Sequence, residues 1–445
     1  MTQLYAFPST ALSGRAQIPG DKSISHRALI LGAVAVGSSS ITGLLESDDV
    51  IATARALNAL GVGIQKDQTR QLWQIDGVGP GGLAEPGHVL DTGNAGTAAR
   101  LLIGLVATHP LTCFFDGDDS LIRRPMDRVI QPLTQMGALF TARGSRYLPL
   151  CVQGPDIAVP ITYSLPVASA QVKSAILLAG LNTPGTTYVI EPVPTRDHTE
   201  LMLTRCGIDI ERTQRDDGTA VIGVTGQKDL TPADIHIPRD PSAAAFAAVA
   251  ALITEGSAID IPGLCLNERR TGLFRVLADM GAAMTYSNRD EEAGETVGDV
   301  HIAHTPGLKG MTVSETKVPD MVDEIPVLCV AAAFADGTTH IDGLSELKHK
   351  ESDRLATTLN MLTACGVQVE MGEESLTIHG DGSPPEGGSV IDSYGDHRIA
   401  MAAAVLGLGA KNAVTVTNAG AIATSFPGFS EMMRALGANI EERND

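Results

Sequence analysis

The chain has 445 residues, 43% of them hydrophobic, which is more than one core commonly supports, so two domains are expected. Its formal net charge of −20, from 32 basic and 52 acidic residues, excludes a broad nucleic-acid surface built on Lys and Arg, but not a small anion held in a local basic pocket. The longest apolar runs, Ala243 to Ile253 and Ile325 to Ala335, fall short of a bilayer span, and the six cysteines have neither C-x-x-C nor metal-ligand spacing, so a cytoplasmic protein with reduced, buried thiols is expected.

Short apolar β-type runs, such as Gln17-Ile18 and Thr415-Val416-Thr417, alternate with Ala-rich helical segments closed by glycine, which is the pattern of an α/β protein. In chain order, helices are expected to open at Lys22-Ser23 and Asp49, then at Asn94 and Arg124, Ser169 and Arg196, Ser242 and Arg270, Asp323 and Arg354, and Asp396 and Ser425. The second helix of each pair closes on Gly61, Gly137, Gly207, Gly281, Gly366 or Gly437, at intervals of 70 to 85 residues. Six such pairs amount to six copies of one supersecondary unit. The segment Ile18-Pro19-Gly20-Asp21-Lys22-Ser23 returns as Ile237-Pro238-Arg239-Asp240-Pro241-Ser242, as expected of two duplicated halves with a ligand between them. An Arg at a helix start opposes the helix dipole and so points to a ligand anion. The Gly- and acid-rich stretches Asn288 to Gly298 and Gly380 to Gly388 read as solvated loops.

Four clusters carry the chemistry. Pro19-Gly20-Asp21-Lys22-Ser23-Ile24-Ser25-His26-Arg27 sets Lys and Ser at a helix start with an Arg one turn on; it is either an ordinary cap or a phosphate cradle, and it is not a Walker motif. Asp91-Thr92-Gly93-Asn94-Ala95-Gly96-Thr97-Ala98-Ala99-Arg100 offers small residues that let a ligand reach backbone N–H groups, or else forms a tight turn. Arg123-Arg124-Pro125 places a Pro near the first helical position after two arginines fit to clamp a carboxylate or phosphate. Asp323-Glu324 and Lys350-Glu351-Ser352-Asp353-Arg354 bring acids beside cations, which is how general acid and base groups are held near anionic substrates.

With S-A-Q-V-K-S-A at 169 to 175, R-D-H-T-E at 196 to 200 and D-H-R-I-A-M at 396 to 401, these motifs run through nearly the whole chain. Together they resemble the 5-enolpyruvylshikimate-3-phosphate synthase family, and G-D-K-S, S-A-Q-V-K and R-D-H-T-E resemble its second class, which includes glyphosate-tolerant members. The resemblance implies two similar α/β domains, each of three βαβαββ units, in the inside-out barrel of the enolpyruvyl transferases, with the active site in the cleft between them. One domain would span 22–236 and bind shikimate 3-phosphate; the other would combine 1–21 with 237–445 and carry the acid and base groups. It also implies that Lys22, Ser23, Arg27, Ser169, Gln171, Arg196, Asp323 and Lys350 bind shikimate 3-phosphate. Lys22, Asn94, Gly96, Arg124, Gln171, Arg354 and Arg398 would surround phosphoenolpyruvate. The catalytic set would be Lys22, Asp323, Glu351 and Lys350, with Asp323 the base for the 5-hydroxyl and Glu351 the proton carrier at C3.

The family expectation is a monomer with no prosthetic group, no metal, no nucleic acid and no membrane. Glyphosate, a phosphoenolpyruvate mimic, is expected to fit beside Gly96, the residue usual in sensitive relatives. The sequence departs from the family at Ala170, at Thr424 and at Asn267-Glu268-Arg269-Arg270. Two other readings compete: a transferase moving enolpyruvyl onto UDP-N-acetylglucosamine, whose usual Lys-Asn pair is here Lys22-Ser23, and a non-catalytic repeat scaffold.

Overall fold

The computed structural model describes residues 2–444. Its helices, in chain order, are α1 Lys22–Ala33, α2 Asp48–Ala59, α3 Gly96–Val106, α4 Asp127–Gln135, α5 Ala170–Leu181, α6 His198–Arg205, α7 Pro241–Ile253, α8 Gly272–Asp279, α9 Ile325–Ala333, α10 Arg354–Ala364, α11 His397–Gly409 and α12 Phe429–Ala435. The chain divides into two compact units. The first, the Lys22 unit, holds Gly20–Pro238 with Glu291–Glu295; the second, the Arg354 unit, holds the residues through Pro19, Arg239–Asp290 and those from Thr296 on.

Each unit has three four-stranded sheets among the described residues. In the Lys22 unit, for example, Thr162–Ser164 runs parallel to Thr186–Glu191 across the α5 crossover, and Thr186–Glu191 pairs antiparallel with Ala220–Thr225, which pairs in turn with Ile210–Gln214. Strand, helix, strand, helix, strand, strand is the βαβαββ unit. The first strand of the first unit is supplied from far along the chain, since Asp234–His236 lies parallel to Val36–Thr42. The duplicated segments have matching local roles: Asp21 caps α1 by accepting from the Ile24 N–H, and Asp240 caps α7 by accepting from the Ser242 N–H. Gly20 has no room for a side chain there, since a β-carbon would stand 2.0 Å from the Gly43 carbonyl oxygen.

The two helices of a unit differ in kind. All thirteen residues of α7 and all nine of α9 are buried, and in the Lys22 unit α5 is buried along ten of its residues. Such helices are apolar all round because they form the core itself. α1, α3 and α5 do this in one unit; α7, α9 and α11 do it in the other. The partner helices α2, α4, α6, α8, α10 and α12 each end before one of the six glycines singled out in the sequence, and every one of those glycines has φ between 82° and 106°, the left-handed conformation that a helix C-terminus uses to turn out of its last carbonyls.

Several local expectations are corrected. Arg124, Arg196 and Arg270 lie two or three residues ahead of α4, α6 and α8, not within them, so the dipole penalty argued for them is relieved by position. Pro125 likewise precedes α4, after a 3-10 turn at Leu121–Arg123. Gln17-Ile18 is outside any strand. The stretch from 288 to 298, read as a loop, belongs to a long hairpin of Ala283–Glu292 and Glu295–Ala303 that turns through Ala293 and Gly294 at φ 55° and 80°. Its tip groups with the Lys22 unit, where Glu295 Oε1 is 2.5 Å from His198 Nδ1, both side chains fully buried.

Candidate active site

In the Lys22 unit the expected ligand-binding residues gather at the N-terminal ends of the core helices, where unpaired backbone N–H groups favour anions. Lys22 is the first residue of α1, and its ammonium contacts the carboxylate of Asp49 in α2; the two side chains are 19% and 7% exposed. Arg27, one turn further along α1, is buried. Its Nε donates to Thr199 Oγ1 and its Nη2 to Ser174 Oγ, each at 2.7 Å, while Nη1 donates to the Ser23 carbonyl at 2.9 Å. Ser169 is the N-cap of α5, accepting from the Val172 N–H.

The α3 end is a second polar group. Arg124 Nη2 donates to Asn94 Oδ1 and, at 2.9 Å, to Ser120 Oγ, and Asn94 Nδ2 donates to Asp118 at 2.6 Å. Gly96 opens α3, and Arg100, four residues on, donates to the Gly96 carbonyl at 3.3 Å and to Gln171 Oε1 at 2.9 Å. Gln171 in turn donates to Thr97 Oγ1 at 2.9 Å. Asn94, Gly96, Arg124 and Gln171 are thus brought together, with Arg100 as the residue that ties them. Arg100 closes the Asn94 motif, and its spacing of four from Gly96 is the sequence signal for this contact. Arg196 lies in the loop before α6, one residue ahead of the N-cap Asp197.

In the Arg354 unit the acids and cations of the sequence converge on one guanidinium. Arg354 opens α10 at 1% exposure and spends its donors on three carboxylates: Nη1 to Asp323 at 3.2 Å, Nη2 to Glu351 at 2.5 Å, and Nε to Asp396 at 2.8 Å. Lys350 Nζ adds a second donor to Asp323 Oδ1 at 3.2 Å. Burial alone lowers the affinity of Arg354 for its proton, but Asp396, Glu351 and Asp323 outweigh it, so the guanidinium holds its proton more tightly than usual. Asp396 shows the same balance from the other side: burial pushes its carboxyl up, Arg354 outweighs that, and it settles below its ordinary value. Asp396 also caps α11 by accepting from the Arg398 N–H at 2.9 Å. The Arg398 guanidinium is 3.4 Å from Glu324, whose side chain is 1% exposed.

This arrangement holds two partly exposed carboxylates, Asp323 at 16% and Glu351 at 19%, against separate nitrogens of one buried cation. A base and an acid fixed in this way can each move a proton without either side chain having to search for its position. Among the described residues, no cluster of three or more His, Cys, Asp or Glu is arranged to hold a metal, and no helix is long and apolar enough to cross a membrane.

The family model for EPSP synthase (3-phosphoshikimate 1-carboxyvinyltransferase) matches residues 7–433. The chain belongs to the EPSP synthase family. It is 52% identical over 433 residues to the 3-phosphoshikimate 1-carboxyvinyltransferase of Paramagnetospirillum magneticum, covering 97% of each chain. It is 51% identical over 440 residues to that of Rhodospirillum rubrum, covering 98% of this chain and 97% of the relative. A solved EPSP synthase from Acinetobacter baumannii superposes with a TM-score of 0.88 at 39% identity over the full length of both chains. The enolpyruvyl transferase NikO from Streptomyces tendae shares the fold, with a TM-score of 0.77 at 19% identity and coverage of 100% of this chain and 99% of that one. The chain is therefore an EPSP synthase-family transferase with the two-domain enolpyruvyl transferase fold, and the UDP-N-acetylglucosamine and scaffold readings give way to it.

Proposed function

We propose that the two polar groups serve one reaction, the transfer of the enolpyruvyl group of phosphoenolpyruvate to the 5-hydroxyl of shikimate 3-phosphate. The carrying observation is Arg354 holding Asp323 and Glu351 on separate nitrogens. In this reading Asp323 accepts the hydroxyl proton as the 5-oxygen bonds to C2 of phosphoenolpyruvate, and C3 gains a proton from Glu351. The adduct then loses a C3 proton and its C2–O bond to phosphate breaks, restoring the double bond and releasing inorganic phosphate. Lys22, Ser23, Arg27, Ser169, Gln171 and Arg196 bind shikimate 3-phosphate, with Asp323 and Lys350 near its reacting hydroxyl. Lys22, Asn94, Gly96, Arg124, Gln171, Arg354 and Arg398 receive phosphoenolpyruvate and offset the charge on its phosphate and carboxylate. Residues 22–236 act as the acceptor-binding domain, and 1–21 with 237–445 as the acid–base domain, of a monomeric cytoplasmic enzyme. The test is phosphate release by purified protein. Release with phosphoenolpyruvate and shikimate 3-phosphate, and none when UDP-N-acetylglucosamine replaces the latter, is the expected result; folded protein releasing phosphate with neither acceptor overturns it.

Gly96 makes the phosphoenolpyruvate assignment testable by size. A β-carbon there would stand 2.9 Å from Arg100 Nη1, 3.2 Å from Arg124 Nη1 and 3.6 Å from Leu121 Cδ1. The tightest contacts are the ends of flexible side chains, so Gly96→Ala folds but displaces both guanidinium groups. The expected outcome is a rise of roughly tenfold in KM for phosphoenolpyruvate, with a larger loss of inhibition by glyphosate, since even small misplacement of binding groups is costly. Unchanged values for both ligands would show that neither binds beside Gly96.

A further inference from the structure

The loop that carries Arg196 is fastened to one buried ammonium. Lys173, in α5, is 3.0 Å from Glu191 Oε2 at the end of strand Thr186–Glu191 and 2.7 Å from Glu200 Oε1 in the first turn of α6, and all three side chains are at most 3% exposed. Its Nζ also donates at 3.5 Å to the carbonyl of Thr195, the residue before Arg196. The Thr195 hydroxyl donates to Glu191 Oε1 at 2.5 Å, so both ends and the middle of the segment 191–200 meet at one point. The Lys of S-A-Q-V-K and the Glu of R-D-H-T-E, two separate motifs of the same βαβαββ unit, are the two halves of this ion pair.

Packing alone gives a poor reason for such a cluster. With all three groups ionised it holds one more negative than positive charge, Glu200 Oε2 is buried without a hydrogen-bond partner, and buried ion pairs are often no more stabilising than apolar residues of the same shape. Burial raises the Glu191 carboxyl above its usual range; Lys173 is lowered by burial, but the two carboxylates outweigh this and raise it. The helices themselves have an independent fastening one residue along, where Ser174 Oγ and Thr199 Oγ1 are 2.7 Å apart and both accept from Arg27. Removing the ammonium therefore takes away the donor that the Thr195 carbonyl and both glutamates share, leaving the Thr195 hydroxyl on Glu191, while α5 and α6 remain joined.

We propose that Lys173, with Glu191 and Glu200, is a positioning residue for acceptor recognition: it fixes the backbone at Thr195 and so the direction from which Arg196 meets the phosphorylated acceptor. The proposal rests on the reading of Arg196 as a shikimate 3-phosphate ligand. It is tested by steady-state kinetics with both substrates and by calorimetric titration of shikimate 3-phosphate alone, using Lys173→Met, the uncharged triple variant Lys173→Met/Glu191→Gln/Glu200→Gln, Thr195→Val and Arg196→Ala. The triple variant leaves no buried charge unpaired and so keeps the test open should Lys173→Met alone fail to fold. Expected is a rise of about tenfold in KM and Kd for shikimate 3-phosphate in the folded Lys173 variants, a smaller rise in Thr195→Val, and a KM for phosphoenolpyruvate within twofold of the parent. Both KM values rising together, or neither rising, in folded variants would overturn it. Arg196→Ala with undiminished affinity would remove the assignment of Arg196 and the proposal with it; Arg196→Ala weakened beside unaltered Lys173 and Thr195 variants would remove the proposal alone.

Discussion

Arg354→Met is expected to lower phosphate release by roughly a thousandfold and to destabilise the protein by about 3–5 kcal/mol at neutral pH, because it takes one buried cation from three carboxylates at once. Asp396 decides the stability term, since its side chain is fully buried and accepts from Arg354 Nε at 2.8 Å and Nη2 at 3.3 Å, whereas Asp323 and Glu351 are partly exposed. The pH dependence should change sign. In the parent protein the depressed Asp396 carboxyl contributes stability above about pH 4, and that contribution is lost as pH falls through the lower folded value. Without Arg354, burial is left to raise the same carboxyl, so the variant should be more stable at pH 5 than at pH 8. Urea unfolding from pH 3 to pH 8 distinguishes the two: the parent gains stability from this group as pH rises to about 4 and is level above it, whereas the variant loses stability from pH 5 to pH 8. Arg354→Met/Asp396→Asn should recover most of the stability, as Asn still caps α11, yet remain inactive because Asp323 and Glu351 stay without their common donor. A double variant that regained activity would mean that Arg354 serves only to neutralise Asp396.

The parts of the fold that were legible in the sequence are those set by one or two neighbouring residues. The six closing glycines stand where only a left-handed residue is easily placed, and Asp21, Asp240 and Asp396 stand where a helix needs a side-chain acceptor, so the repeats could be read without any long-range information. The hairpin from Ala283 to Ala303 was not legible because eight residues of its first strand are exposed, leaving no alternation to mark a strand. Of the candidate site, the motif residues were read but their partners were not. Arg100 and Gln171 are 71 positions apart, and Arg27 and Thr199 are 172 apart; pairings of that kind are made by the packing of helices against one another and leave no local pattern. Lys350-Glu351-Ser352-Asp353-Arg354 is the instructive exception. Its crowding of charge in five residues was visible, and the structure divides it by function, with Asp353 capping α10 and Arg354 turned into the unit.

Lys22→Ala is expected to abolish measurable turnover, a loss on the order of 10³ or more, and here too the stability and chemistry can be separated. In the structure the Lys22 ammonium contacts Asp49, whose side chain is only 7% exposed, so the substitution strands a nearly buried carboxylate and should cost about 3 kcal/mol. On the proposed reading of Lys22 as a substrate ligand, the same contact implies an exchange during binding: an anionic substrate would share or replace Asp49 as the partner of Lys22, and the desolvated carboxylate left behind would oppose that exchange. Asp49→Asn removes the competitor while leaving the lysine in place, and its KM for phosphoenolpyruvate should fall by roughly threefold, within the range of one partly screened charge. Lys22→Ala/Asp49→Asn should then fold with near-parent stability and remain inactive. Thermal unfolding and phosphate release on the three variants give the answer together: inactivity that follows stability would make Lys22 a structural residue, whereas a stable, inactive double variant assigns it to the substrates.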